Sequence, residues 1–191
     1  VYKGSMVNDS TIDGTFTQGQ EMKLVLKREA SGTAKPNKNN RPQTPKPPFP
    51  YKSEDVTYTN KDSSIRYGAT ITIPPGQGPF PAVLLITGSG QQDRDETILN
   101  HKPFAVIADE LTRQGIIVLR VDDRALGKST GNFSKATSED FAVDAGCGLD
   151  YLLSRPEVNK KKTGLIGHSE GGMIAPMVAV KRKEVNFIIL L

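Results

Sequence analysis

From about residue 51 onward the sequence alternates between two hydrophobic periods, and this constrains the fold more than any other feature. Short apolar runs occur at about 54–60 (EDVTYTN), 65–73 (IRYGATITI), 82–87 (AVLLIT), 116–121 (IIVLRV), 163–167 (TGLIG) and 186–191 (NFIILL), and they read as strands. Between them, 103–114, 138–153 and 170–181 carry helical spacing. A strand can pair in parallel with its successor only through a crossover, usually a helix, so this order implies an α/β fold with a mostly parallel sheet flanked by helices. Pro103 at the start of the first helix and Gly115 past its end fit the preference for proline at N1 and glycine beyond the last turn. Ser138 is the expected N-cap of the second helix, ahead of Glu139 and Asp140. Gly146 and Gly148 inside that helix cost up to about 1 kcal/mol each relative to alanine, which close packing on the sheet would explain.

The first third of the chain differs. Residues 11–29 alternate around Gln18-Gly19-Gln20, with Ile12 and Phe16 on one arm and Met22, Leu24 and Leu26 on the other, a β-hairpin pattern. A lone hairpin is marginal in water, so residues 1–34 are expected to belong to a larger β unit or to pack on a neighbour. Residues 35–52 are rich in proline, lysine and asparagine and read as a linker, leaving 53–191 as the α/β part.

Composition removes several function classes. The chain has 191 residues, 36% of them hydrophobic, enough for one core of ordinary size. No apolar run approaches the ~20 residues that cross a bilayer as a helix. The net charge of +4 comes from scattered basic residues, and the clusters Lys160–Lys162 and Lys181–Lys183 flank helix ends. Aromatic residues are not interleaved with these bases, so no nucleic-acid partner is expected. A single cysteine, Cys147, excludes an intramolecular disulfide, and two histidines far from it offer no metal-ligand spacing. No metal or other cofactor is expected.

The chemistry concentrates in LIGHSEGGMIAP, residues 165–176. Gly167-His168-Ser169-Glu170-Gly171 is a G-x-S-x-G pentad between a β run and a helix-compatible segment, the context that a nucleophile elbow requires. In so sharp a turn the serine takes an unfavourable backbone conformation and presents its hydroxyl clear of the sheet. Gly167 and Gly171 relieve collisions, and Gly172 lets the helix approach. The Glu170 amide at the helix start points toward the place where an oxyanion would form. A second donor, Ser89 or Gly90, is expected in GSGQQDRDE, the loop after AVLLIT. The alternative reading of the pentad is a tight Gly-Ser turn that merely caps a helix.

Two other motifs fail. Gly88-Ser89-Gly90 is no dinucleotide fingerprint, because Asp93 stands at the third glycine position. Gly127-Lys128-Ser129 is no phosphate loop, because Asp122 occupies the first glycine position. Asp122, Asp123 and Arg124 read instead as loop scaffolding, with Arg124 expected to pair with Asp93 or Asp95 and hold the loop that begins at Gly88.

The ordered set ITGSGQQDRDE, NHKPFAVIADELTRQGIIVLRVDDRALGKSTG and KTGLIGHSEGGMIAP resembles the α/β-hydrolase superfamily, specifically bacterial serine hydrolases of the esterase or acyl-peptidase-like kind. The resemblance covers residues from about 53 to the end. Ala125 departs from it, since related loops usually carry glycine there. The hairpin and linker are similar to the end of a small β domain that precedes the hydrolase in exported members, which implies export to the periplasm or cell envelope. The resemblance implies Ser169 as nucleophile, with an acid and then a histidine following it in the chain. His168, on the strand beside the serine, and His101, ahead of the first helix, do not fit the base. The chain is therefore expected to be a fragment that lacks acid and base and is inactive or nearly so. It would leave NFIILL as an exposed edge strand near Leu191 through which copies could associate. The implied substrate is a small acyl ester or peptide; the alternative function is a non-catalytic binding module on the same fold.

Overall fold

The computed structural model describes residues 1–28 and 41–191, and the chain divides into two units, Val1–Asn40 and Arg41–Leu191. In the first unit β1 (Tyr2–Asn8), β2 (Thr11–Gln18) and β3 (Gln20–Lys27) form an antiparallel meander. The expected hairpin is its β2–β3 half, turning at Gly19 with φ of 75°. The added strand β1 pairs Tyr2 with Phe16 and Met6 with Ile12. Its sequence, YKGSMVN, has no clean alternation, which hid it from a pattern reading.

The expected linker lies partly outside the described residues, at 35–40. Residues 41–51 belong to the second unit, where aromatic packing outweighs the proline-rich composition. Phe49 stacks on Tyr51 with ring centroids 5.2 Å apart, and the Tyr51 hydroxyl donates to Asp109 at 2.7 Å.

The second unit is a six-stranded mixed sheet covered by helices on both faces. Its strands are β4 (Lys52–Thr59), β5 (Arg66–Ile73), β6 (Phe80–Ile86), β7 (Ile117–Val121), β8 (Val158–Gly167) and β9 (Phe187–Leu190), in the order β4-β5-β7-β6-β8-β9. The pairs β7–β6, β6–β8 and β8–β9 are parallel, while β4 and β5 add an antiparallel margin. The helices are α1 (Pro103–Arg113), α2 (Ser138–Ser154) and α3 (Glu170–Lys181).

Alternation along the strands explains both cores. Ala82, Leu84 and Ile86 of β6 point to one face, where Leu149, Leu152, Ile174 and Val178 of α2 and α3 meet them. Val83 and Leu85 point to the other, against Phe104 and Ala108 of α1. The N-cap of α2 is Thr137 rather than Ser138: Thr137 accepts from the Asp140 amide, and the Asp140 carboxylate accepts from the Thr137 amide at 2.9 Å. Threonine extended at φ −108° with an acid three residues on forms a capping box, so the serine between them becomes the first helical residue. Of the two glycines in α2, only Gly148 meets the sheet, since a Cβ there would lie 3.1 Å from both Leu84 and the Tyr58 hydroxyl. Gly146 has nothing nearer than Arg182, at 3.9 Å.

This topology fixes where a site can form. From β6 the chain crosses through α1 to β7 on one side, and then through α2 to β8 on the other. The carboxyl ends of β6 and β8 therefore flank a point where successive crossovers diverge, leaving a crevice between the loops that follow them. Those loops contain Gly88–Gly90 and Ser169.

Candidate active site

Ser169 sits between the end of β8 and the start of α3 with φ of 52° and ψ of −114°. That combination lies outside the regions open to a residue with a side chain, and it persists only where the surroundings enforce it. Here they do. The His168 amide donates to the Ile86 carbonyl at 3.0 Å, the Ser169 amide to Leu191 at 3.1 Å, and the Gly171 and Gly172 amides to His168 and Ser169 at 2.8 and 2.9 Å. A Cβ on Gly167 would collide with the Gly171 carbonyl, and one on Gly171 would collide with the Ile86 carbonyl. The two glycines are therefore set by backbone approaching backbone. Ser169 is exposed.

Among the described residues, the Glu170 and Ser89 amides donate to no protein acceptor. Glu170 opens α3, where the first amides have no partner within the helix. Gly88 packs against the elbow: a Cβ on it would lie 3.2 Å from Ser169 Cβ and from His168 Nδ1. Gly90 continues the loop with φ of 88°. Loop and elbow thus meet where the topology requires.

Glu96 joins them. It is 2% exposed, and its Oε1 accepts from the Gly88 amide at 2.8 Å and meets His168 Nδ1 at 2.8 Å. Sharing that oxygen with an amide donor requires Nδ1 to carry the imidazole proton. His168 follows the last residue of β8 and is engaged by this carboxylate. His101 is exposed and turns back to Ile98 through its amide. Among the described residues Ser169 Oγ takes part in no hydrogen bond.

The scaffolding differs from expectation in its pairings. Arg124 does not reach Asp93 or Asp95; it forks onto Asp144 of α2, with Nε at 2.6 Å and Nη2 at 2.9 Å. These bonds tie the loop after β7 to α2. Arg94 takes the role foreseen for Arg124, bonding Asp122 through Nε at 3.0 Å and Nη2 at 2.6 Å, while Asp95 pairs with Arg120. Asp93 folds its own turn by accepting from the Asp95 and Thr97 amides at 3.0 and 2.9 Å. Asp123 holds the loop after β6 directly, accepting from Thr87 Oγ1 at 2.9 Å and the Gln92 amide at 2.7 Å. Burial pushes the Asp123 carboxyl up to about 6, against these two hydrogen bonds. The Arg94 guanidinium, by contrast, outweighs burial at Asp122 and holds its pKa below the ordinary range.

A cavity of about 60 Å³ opens beside the elbow, walled by Gly88, Gly90, Glu170, Ile174, Phe133 and Phe141, whose two phenyl rings stack at 5.3 Å. Tyr67 and Asp144 also line it, with burial and the hydrogen bond to Asp144 raising the Tyr67 phenol pKa. Ser138 Oγ donates to Glu170 Oε1 at 2.7 Å, which ties the start of α2 to the elbow. Among the described residues no group of three or more ligating side chains could hold a metal ion, and no helix is long and apolar enough to cross a membrane.

The sheet order and the helices on both faces are those of the α/β-hydrolase fold, and the sequence is similar to hydrolases of that fold. The family model described as serine aminopeptidase, S33, matches residues 101–191. Esterase EstD of Thermotoga maritima is 34% identical over 143 residues, covering 75% of this chain and 33% of its own length. Mouse acyl-coenzyme A thioesterase 3 is 28% identical over 128 residues, covering 66% of this chain and 26% of its own length. A hypothetical protein from Pseudomonas aeruginosa shares the fold with a TM-score of 0.64 and 21% identity, over 78% of this chain and 44% of that one. The chain thus spans about a third of the length of the curated relatives it matches.

Proposed function

We propose that the protein is a serine hydrolase of carboxylic esters or acyl-peptides that works through an acyl-enzyme on Ser169. The strained conformation of Ser169, with φ of 52° and ψ of −114°, carries this reading, because a turn that served only to cap a helix would gain nothing by holding a non-glycine residue there. In the reaction Ser169 Oγ adds to the substrate carbonyl, and its proton passes to a base that returns it to the leaving group. Glu170 and Ser89 donate their amides to the oxyanion, and water then hydrolyses the ester on Oγ. Gly88, Gly90, Gly167 and Gly171 shape this surface, with Asp93, Asp123 and Arg124 bracing the loops. Similarity to an esterase and a thioesterase favours a small acyl substrate over a peptide.

The base and its acid lie, in this reading, outside residues 1–191, so these residues alone are inactive or nearly so. Triad members act as a unit, and losing one costs on the order of 10⁴-fold or more. The test is labelling of the full-length protein with a fluorophosphonate. Wild type should label and Ser169→Ala should not; equal labelling of both, or none of either, would remove Ser169 from the mechanism. A protein that labels nowhere yet binds acyl compounds would favour the binding-module alternative.

A further inference from the structure

A second cavity, of about 420 Å³, shares no lining residue with the one beside Ser169. It lies between the segment around Thr44–Asp55, strands β5 and β7, and the start of α1, within the size range of small-molecule sites. Three cations line it, Arg94, Lys102 and Arg120, against two carboxylates, Asp55 and Asp95. The stacked rings of Phe49 and Tyr51 supply an apolar wall.

Arg120 is the unusual member. It is 8% exposed, and its Nη1 bonds Asp95, yet its buried Nε has no hydrogen-bond partner, nor among the described residues does Nη2 form a bond. In four other arginines the same Nε/Nη2 edge is filled by a carboxylate, with Arg94 on Asp122, Arg124 on Asp144, Arg155 on Glu157 and Arg182 on Glu184; Arg41 Nε is also buried without a partner, but Arg41 does not line this cavity. A buried guanidinium left half-bonded is costly, because unsatisfied charged donors bear the full desolvation penalty. Burial accordingly lowers the Arg120 pKa in spite of Asp95.

We propose that this cavity binds a small organic monocarboxylate, whose two oxygens take the Nε and Nη2 hydrogens of Arg120 while its apolar body lies on the Phe49–Tyr51 wall. The planar fork matches a carboxylate, which can take both hydrogens of that edge at once. A phosphate dianion would bring a second charge toward Asp55 and Asp95. Because Nε is buried, binding in this proposal includes a rotation of the Arg120 side chain toward the ligand. The site is independent of Ser169 chemistry.

The test uses the full-length Ser169→Ala protein, titrated calorimetrically with benzoate, acetate, phosphate and chloride at matched ionic strength, with thermal melts alongside. Benzoate should bind saturably and raise the melting temperature, and acetate should bind at least several-fold more weakly. Adding Arg120→Lys, which keeps the charge and loses the fork, should weaken benzoate tenfold or more. Since Arg120 also pairs with Asp95, Phe49→Ala provides a second variant outside that pair, expected to weaken benzoate several-fold and leave acetate nearly unchanged. The proposal is overturned if benzoate does not saturate, if phosphate binds more tightly than benzoate, or if neither substitution changes benzoate affinity.

Discussion

Single residues carry backbone strain in the second unit, and they do so in three different ways. At Ser169 the unfavourable backbone is held by hydrogen bonds on both sides of the turn. At Ala125, φ of 60° has no such purpose in view: its amide bonds the Thr130 carbonyl at 3.1 Å, and the side chain is exposed. An L-residue with a Cβ loses about 1–2 kcal/mol in the left-handed region, and glycine gives back part of that gain through its freer unfolded chain. Ala125→Gly should therefore stabilise the protein by about 0.5–1 kcal/mol in chemical denaturation, and a destabilised variant would show the strain to be absent. Glu96 is different again, with φ of 51° and a buried carboxylate that ties Gly88 to His168. In the proposed mechanism it is a positioning residue. Glu96→Ala leaves the Gly88 amide without its acceptor and should lower kcat of the full-length enzyme tenfold or more with KM changed less than threefold. Glu96→Gln keeps one acceptor oxygen and should recover much of the loss; equal defects in the two variants would speak for a purely structural role.

Whole elements were legible where local chemistry decided them. The β and α periods from residue 51 onward place all six strands and three helices of the second unit, because each buries a face against a neighbour and its spacing records which. The G-x-S-x-G turn was legible for a similar reason, its glycines being forced by contacts within five residues and a neighbouring strand. Partner choice among charges was not. Arg124 and Asp144 are 20 positions apart and Arg94 and Asp122 are 28 apart, so their pairing depends on how the loops after β6 and β7 lie over the sheet. Glu96 escaped notice likewise, as one acid in the run DRDE whose burial only the folded loop reveals. The α2 cap lies between these extremes: the box was present in the sequence as Thr137 and Asp140, one residue ahead of the serine that looked suitable. Thr137→Ala removes the hydroxyl that accepts from Asp140 and should cost about 1 kcal/mol, whereas Ser138→Ala loses only the bond to Glu170. A larger loss for Ser138→Ala in thermal melts would reverse that assignment.

For the molecule as a whole, Asp123 sets a pH dependence of opposite sign to that of the other shifted carboxylates. Asp122 and Asp55 have folded pKa values held down by Arg94 and by hydrogen bonds, so the stability they contribute is complete above the ordinary carboxylate range and is lost as pH falls through their folded values. Asp123, pushed up to about 6 by burial, binds its proton more tightly in the folded state than in the unfolded chain. Between about pH 4 and 6 the folded state therefore holds the extra proton, and stability falls as pH rises through that window. At about 1.4 kcal/mol for each pH unit in which the two states differ by one proton, the window is worth about 3 kcal/mol. Asp123→Asn mimics the protonated form: its Oδ1 can still accept from the Gln92 amide, and its Nδ2 can donate to Thr87 Oγ1, which rotates to receive it. Denaturant titrations at pH 4.5 and 7 should find the wild type and the variant closer in stability at the lower pH and the variant gaining by up to about 3 kcal/mol at the higher. A difference that does not change with pH would mean that Asp123 is ionised throughout, and the loop after β6 would then owe its shape to a charge rather than to a neutral hydrogen-bonding group.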